Sequence, residues 1–229
     1  MNNIRPLNTS YNPGQWIYVN DFPLCNPTST TFAAQGGRIG VAGSLYYNNP
    51  SLLWANSAGK GGAVVQQLNM YPSLVEYFGL LVSVNFWNTN SVYFGLTDIT
   101  TLNNNSIQFA TESDSIYWKC IVYVGGVRTS YTTNVVVGNG TPGTLWRYLQ
   151  AFRKPNSNDW EFYIDLKYQT TLTGPDDGSL VPYPPTPTYG NPLSLNIYAT
   201  TDDNTKVWYL DRVEVGCCDL PRRRGDISR

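Results

Sequence analysis

Histidine is missing altogether from this chain of 229 residues. Its absence excludes a Ser-His-Asp triad, a Cys-His pair, an HExxH zinc helix and any histidine general base, all of which need an imidazole that titrates near neutrality. Glutamate is nearly as scarce, with only Glu76, Glu112, Glu161 and Glu214. Charged residues make up 14% and the net charge is −1, so the chain as a whole sets up no field that would draw nucleic acid or an anionic membrane. The four cysteines, Cys25, Cys120, Cys217 and Cys218, include no CxxC pair, and neither a zinc site nor a disulfide scaffold is expected. Cys120 lies in an apolar run and reads as a small buried hydrophobe. Cys25 can meet Cys217 or Cys218 only if the two ends of the chain come together. No apolar run is long enough to cross a bilayer, and the opening MNNIRPLNTS lacks the apolar centre of a signal peptide. A soluble protein made and assembled in a cytoplasm is the expectation, and the sequons at Asn8, Asn104 and Asn139 are then chance matches.

Helical periodicity is also lacking, whereas strand signals are plentiful. Aromatics reach 14%, with 17 Tyr and 7 Trp, a balance that suits pleated, half-buried surfaces. Short apolar runs bounded by Gly, Pro, Asn and Asp predict strands near 16–22, 51–56, 62–68, 76–87, 91–97, 106–111, 116–124, 127–137, 144–153, 159–165, 167–172, 193–201 and 207–215. Leu80, Val82, Val84 and Phe86 share one face of their strand. Trp118, Cys120, Val122 and Val124 do so as well, because successive strand side chains point to opposite sides. Gly125-Gly126 between two β-rich runs predicts a two-residue hairpin. This pattern points to a single all-β domain over 16–216, an antiparallel β-sandwich or a barrel. Residues 1–15 read as an N-terminal arm and 217–229 as a basic C-terminal arm. The stretch 174–192 holds six prolines and cannot be a central strand, so it reads as a long loop.

The order of features over 79–215 is familiar: YFGLTD (93–98), SIQFATE (106–112), IYWKCIVYVGGVRTSYTTNVVV, TLWRYLQAFR, DWEFYIDLKYQTTL and VWYLDRVEV. It resembles the concanavalin A-like, or laminin-G-like, jelly-roll domains common in bacteriophage structural proteins. One departure concerns the Ile-Asp that such domains often follow with Gly in a tight hairpin. Here Asp165 precedes Leu166-Lys167. The resemblance implies a virion structural protein, a phage head-decoration or cement protein that binds neighbouring capsid subunits. The major capsid protein and further copies of the chain would be its partners. The alternative it implies is a tail adhesin that recognises a host surface glycan.

On the strand near 159–165, Trp160, Phe162 and Ile164 are expected to face the core and Glu161, Tyr163 and Asp165 to face outward. Glu161 and Asp165 lie four positions apart, roughly 13 Å along it. A retaining glycosidase pair needs about 5–5.5 Å. Asp211 and Glu214, three apart, are expected on opposite faces. A non-enzymatic protein without cofactor is therefore the expectation. Asp176-Asp177-Gly178 and Asp202-Asp203-Asn204 suit turns for local reasons, and no metal is assigned to them. Trp87, Tyr93, Tyr117 and Tyr123 are the aromatics the sequence offers for a sugar surface. Arg224-Gly225-Asp226 matches an integrin tripeptide that nothing else supports. The contact residues predicted for a protein partner are Arg222, Arg223, Arg224 and Arg229 in the basic arm, whose planar forks suit carboxylates, and Tyr183 and Tyr189 in the proline-rich loop. Neither membrane nor nucleic acid is expected as a partner.

Overall fold

Alternation of apolar and polar residues writes itself into burial. In the strand Asp159–Ile164, Trp160, Phe162 and Ile164 are buried while Asp159, Glu161 and Tyr163 are half-buried. The computed structural model describes the backbone at 16–20, 38–39, 44–48, 51–55, 61–70, 72, 75–84, 91–98, 104–138, 145–176, 193–200 and 207–216. It describes side chains at 72, 75–84, 91–97, 104–138, 145–176 and 212–216.

The strands are β1 (Trp16–Asn20), β2 (Arg38–Ile39), β3 (Ser44–Asn48), β4 (Ser51–Ala55), β5 (Gly61–Met70), β6 (Tyr77–Val84), β7 (Ser91–Asp98) and β8 (Ser106–Thr111). They continue with β9 (Tyr117–Val124), β10 (Val127–Val136), β11 (Trp146–Arg153), β12 (Asp159–Ile164), β13 (Lys167–Thr173), β14 (Leu193–Thr200) and β15 (Val207–Gly216). One sheet runs β13-β12-β11-β6-β15-β4-β3, and the other β10-β9-β8-β7-β14-β5-β2. All pairings are antiparallel. The strand β15 divides its outer edge between two neighbours: β4 pairs with Val207–Leu210 and β1 with the stretch from Val213 to Gly216. A register shift between Leu210 and Arg212 separates the halves. The jelly-roll sandwich expected from the sequence is therefore the fold. Each predicted strand is found; β2 and β3 were not predicted.

Between the sheets lie Phe78, Leu80 and Val82 of β6, Phe94 and Leu96 of β7, Phe109 of β8, Trp118, Cys120 and Val122 of β9, and Trp160 and Phe162 of β12. Phe78 meets Phe109 at 6.0 Å and Trp160 at 6.1 Å, and Phe109 meets Phe162 edge-on at 5.2 Å. Such tilted and edge-to-face contacts are the favoured aromatic geometries. Cys120 is buried and free, and burial pushes its thiol well above the ordinary range. Cys25, Cys217 and Cys218 lie outside the described residues, as do both predicted arms and 177–192.

Two hairpin turns carry left-handed backbone at both central residues. Gly125 (φ 54°) and Gly126 (φ 83°) form the predicted hairpin between β9 and β10. Between β12 and β13 the turn residues are Asp165 (φ 50°) and Leu166 (φ 66°). The sequence places Asp165 on the outward face of a strand, and the structure corrects this. Asp165 leaves the strand, and its carboxylate accepts from Tyr148 N at 3.0 Å and from Arg147 Nη1 at 2.6 Å. Those bonds hold a conformation that Leu166 enters against its own sterics.

A buried ionic knot fastens the β9–β10 hairpin to the end of β8. Glu112 Oε2 accepts from Lys119 Nζ at 2.8 Å and Arg128 Nη2 at 2.8 Å, and Oε1 accepts from Tyr93 Oη at 2.9 Å. Lys119 also reaches Asp114 at 2.7 Å. Burial alone would raise the Glu112 carboxyl. The donors from Lys119, Arg128 and Tyr93 outweigh burial and hold it below its ordinary value.

Two outcomes follow from these contacts. Leu166→Gly removes the left-handed strain and stabilises the chain by about 1 kcal/mol, read as a higher thermal midpoint; a lower midpoint would contradict the strain. Glu112→Gln leaves Lys119 and Arg128 without their shared carboxylate and costs about 1–3 kcal/mol at neutral pH. Because the folded carboxyl lies below its ordinary 4.5, that difference is complete above this value. It fades as pH falls through the folded one. Urea titrations of both proteins across the acid range check it, and a pH-independent gap would refute the assignment.

Candidate functional site

Among the described residues apolar side chains fill the inner faces, which leaves polar chemistry to the outer ones. On the outer face of the β6-containing sheet, an aromatic ribbon crosses four adjacent strands. Tyr77 of β6 contacts Phe152 of β11 at 4.8 Å between ring centres. Phe152 meets Tyr163 of β12 edge-on at 5.4 Å, and Tyr163 meets Tyr168 of β13 edge-on at 5.7 Å. Register explains the line: Tyr77 pairs with Phe152, Phe152 with Glu161, and Tyr163 with Tyr168. The ribbon is buried at Tyr77 and Phe152 and reaches solvent at Tyr168, which is 55% exposed.

The buried end is anchored by a carboxylate. Glu214 of β15, 3% exposed, accepts at Oε2 from Tyr77 Oη at 2.6 Å and Tyr148 Oη at 2.7 Å. Arg212 pairs with its other oxygen. Gln150 Nε2 donates to Tyr77 Oη at 3.0 Å. Burial, followed by the proximity of Glu214, pushes the Tyr148 phenol up to about 12. Tyr77 is displaced further in the same direction by burial, Tyr148 and Glu214. Both phenols therefore remain protonated donors. Gly79 makes this possible, since a Cβ there would overlap the Tyr77 hydroxyl that crosses it.

The open end is polar around its rings. Tyr163 Oη donates to Glu161 Oε2 at 3.1 Å, Lys154 Nζ stands 4.0 Å from Glu161 Oε1, and Tyr168 Oη shares a bond with Thr171 Oγ1 at 3.0 Å. Rings that offer an apolar face beside half-exposed hydroxyl, carboxylate and ammonium groups can stack on C–H surfaces and bond hydroxyls of one ligand.

The aromatics that the sequence offers for a sugar surface fall elsewhere. Tyr93 and Tyr123 join Ala110 and Ile121 in a small apolar cluster on the opposite sheet. Tyr117 is 37% exposed on β9, and Trp87 lies outside the described residues. The sequence places Glu161 and Tyr163 outward, correctly, but Tyr168 was missed. The predicted contact residues Arg222, Arg223, Arg224, Arg229, Tyr183 and Tyr189 lie outside the described residues, as do Asp177, Gly178 and Asp202-Asp203-Asn204. Among the described residues no three His, Cys, Asp or Glu side chains converge as metal ligands.

No family model matches the chain, and no curated protein matches it in sequence. Solved structures match its fold. One is SCLam, a non-specific endo-β-1,3(4)-glucanase of family GH16, with a TM-score of 0.63 and 8% identity over 88% of this chain and 90% of that one. Another is the potassium-bound carbohydrate recognition domain of Emp46p, with a TM-score of 0.61 and 8% identity over 92% and 100%. A third is the endo-1,3-β-glucanase (laminarinase) catalytic domain of Thermotoga petrophila RKU-1, with a TM-score of 0.58 and 7% identity over 88% and 96%. These likenesses establish the architecture, and none links the chain to a phage, a virion or a capsid subunit. They overturn the expectation of a non-enzymatic protein, because glycosidases are prominent among the chains that share this architecture. That expectation tested carboxylate pairs within one strand only. The fold sets carboxylates from different elements side by side: Glu112 and Asp114 both touch the Lys119 ammonium, at 2.8 and 2.7 Å. Identities of 7 and 8% carry over no catalytic residue from those proteins.

Proposed function

We propose that the chain is a carbohydrate-recognising jelly-roll domain whose glycan surface is the open end of the aromatic ribbon. One observation carries the reading. A line of four touching rings, backed at its buried end by Glu214, ends in solvent at Tyr168, beside Tyr163 and Glu161. Pyranose rings present apolar C–H patches rimmed by hydroxyls. A preordered aromatic edge with adjacent acceptors suits them, because little side-chain entropy remains to be lost on binding. Glycosidases and a carbohydrate recognition domain among the structures of this architecture agree with a glycan ligand. The residues named here come from this chain's own geometry.

The test is binding to a panel of soluble polysaccharides, β-glucans included, by affinity electrophoresis and calorimetry, with release of new reducing ends followed in the same samples. Wild type is expected to bind at least one glycan, and Tyr168→Ala to weaken that binding by about tenfold or more, near 1.4 kcal/mol. Its thermal midpoint should be retained, because Tyr168 is largely solvent-facing. Reducing ends released from the bound glycan would add turnover to recognition. An empty panel, or full binding by the Tyr168→Ala protein, would remove the reading.

A further inference from the structure

A sheet edge exposes a row of unpaired N–H and C=O groups, and natural edges are usually blunted by Lys, Pro, carboxylates or bulges. The edge strand β13 is blunted: it carries Lys167, a register shift, and a Gln169 side chain that donates to the Lys167 carbonyl. The edge strand β10 is different. Its first six residues, VRTSYT, contain no Pro, Lys or carboxylate, and all six are exposed, Val127 at 70% and Tyr131 at 43%. The only charge, Arg128, is already tied to Glu112. Among the described residues no strand pairs with its outer side.

The hairpin fixes which backbone groups face outward. With φ positive at both Gly125 and Gly126, the two-residue turn closes on Val124 and Val127 as a hydrogen-bonded pair. Antiparallel pairs alternate between bonded and non-bonded. Thr129, opposite Val122, and Tyr131, opposite Cys120, therefore bond inward to β9. Arg128, Ser130 and Thr132 turn their N–H and C=O groups away from it. The register is regular from Val127 to Thr132 and shifts only beyond Thr132.

We propose that this edge is a self-association surface, on which a second copy of the chain adds its own β10 antiparallel about a two-fold axis at Ser130. Opposite side chains in an antiparallel pair share a face, so an axis normal to the sheet must pass through a residue. At Ser130, Ser130 faces Ser130 of the second copy and Arg128 faces its Thr132. Every outward backbone group of the regular stretch is then paired. An axis at Thr129 would leave Thr132 opposite the turn, and one at Tyr131 would leave Arg128 opposite the shifted stretch. No like charges meet. On the core side, Thr129 comes against Tyr131 of the second copy in a non-bonded pair, where side chains approach most closely, and the exposed ring is covered. A single strand pair is a small interface, so the dimer dissociates on dilution.

Sedimentation equilibrium of the full chain over a wide concentration range tests this. Wild type is expected to show a reversible monomer–dimer equilibrium. Ser130→Pro removes an N–H that β9 does not use, and should raise the dimer dissociation constant at least about tenfold while the thermal midpoint and circular dichroism stay native. Ser130→Lys and Ser130→Asp, whose side chains reach solvent, should each be monomeric, and an equimolar mixture of the two should dimerise, since residue 130 faces itself. Wild type that stays monomeric throughout, Ser130→Pro that dimerises like wild type, or a Lys/Asp mixture that stays monomeric would each overturn the proposal.

Discussion

The strict two-residue alternation of the strands, feeding large aromatic rings into one shared layer, is the constraint on which the rest of the molecule depends. Phe78, Phe94, Phe109, Trp118, Trp160 and Phe162 are fully buried and come from both sheets. A ring at one position fixes the face of its whole strand, because a slip of one residue would carry the set into solvent. The same constraint decides where polar chemistry can occur. Every second side chain of β6, β11, β12 and the 212–216 end of β15 is pushed onto an outer face, and those outward positions build the ribbon and its Glu214 anchor.

A chain without histidine and with four glutamates must handle each buried carboxylate by pairing. Glu214 is saturated by two phenols and Arg212; Glu112 is saturated by Lys119, Arg128 and Tyr93. A carboxylate so fully engaged is a fixed anion that orders its neighbours, which keeps desolvation from unfolding the region. At Glu214 the ordered neighbour is Tyr77, the first ring of the ribbon. The missing side chain of Gly79 lets that ring lie across the strand to reach it. Rigidity at the buried end passes ring by ring to Tyr163 and Tyr168, where a ligand would feel it.

The sequence made most of this architecture legible, since strand identity rests on local alternation and on turn residues such as Gly125-Gly126. Its failures share a physical cause. β2 has two residues, too few to show a period. Alternation runs unbroken through Asp165, and nothing local announces that Leu166 will accept a positive φ held by the Asp165 bonds to Arg147 and Tyr148. The Glu214 anchor joins residues 137 and 66 positions apart. Such contacts depend on β6, β11 and β15 becoming neighbours, and strand order is a property of the whole fold. The same blindness to strand order confined the sequence argument about catalysis to carboxylates within one strand.

Placement of the two edge strands whose side chains are described would tie recognition to assembly. β10 and β13 end their respective sheets on the same side of the sandwich and approach one another there. β13 carries Tyr168, and its Lys167 and register shift keep further strands from covering it. β10 has no lysine, and its register shifts only beyond Thr132. A protein that needed only to stay soluble would gain from protecting both edges, so protecting the ribbon edge alone leaves the other available for a partner. Joining two copies at β10 would set two ribbon ends on one particle. A weak glycan contact would then become bivalent, with the second engagement governed by effective concentration and without any new contact surface.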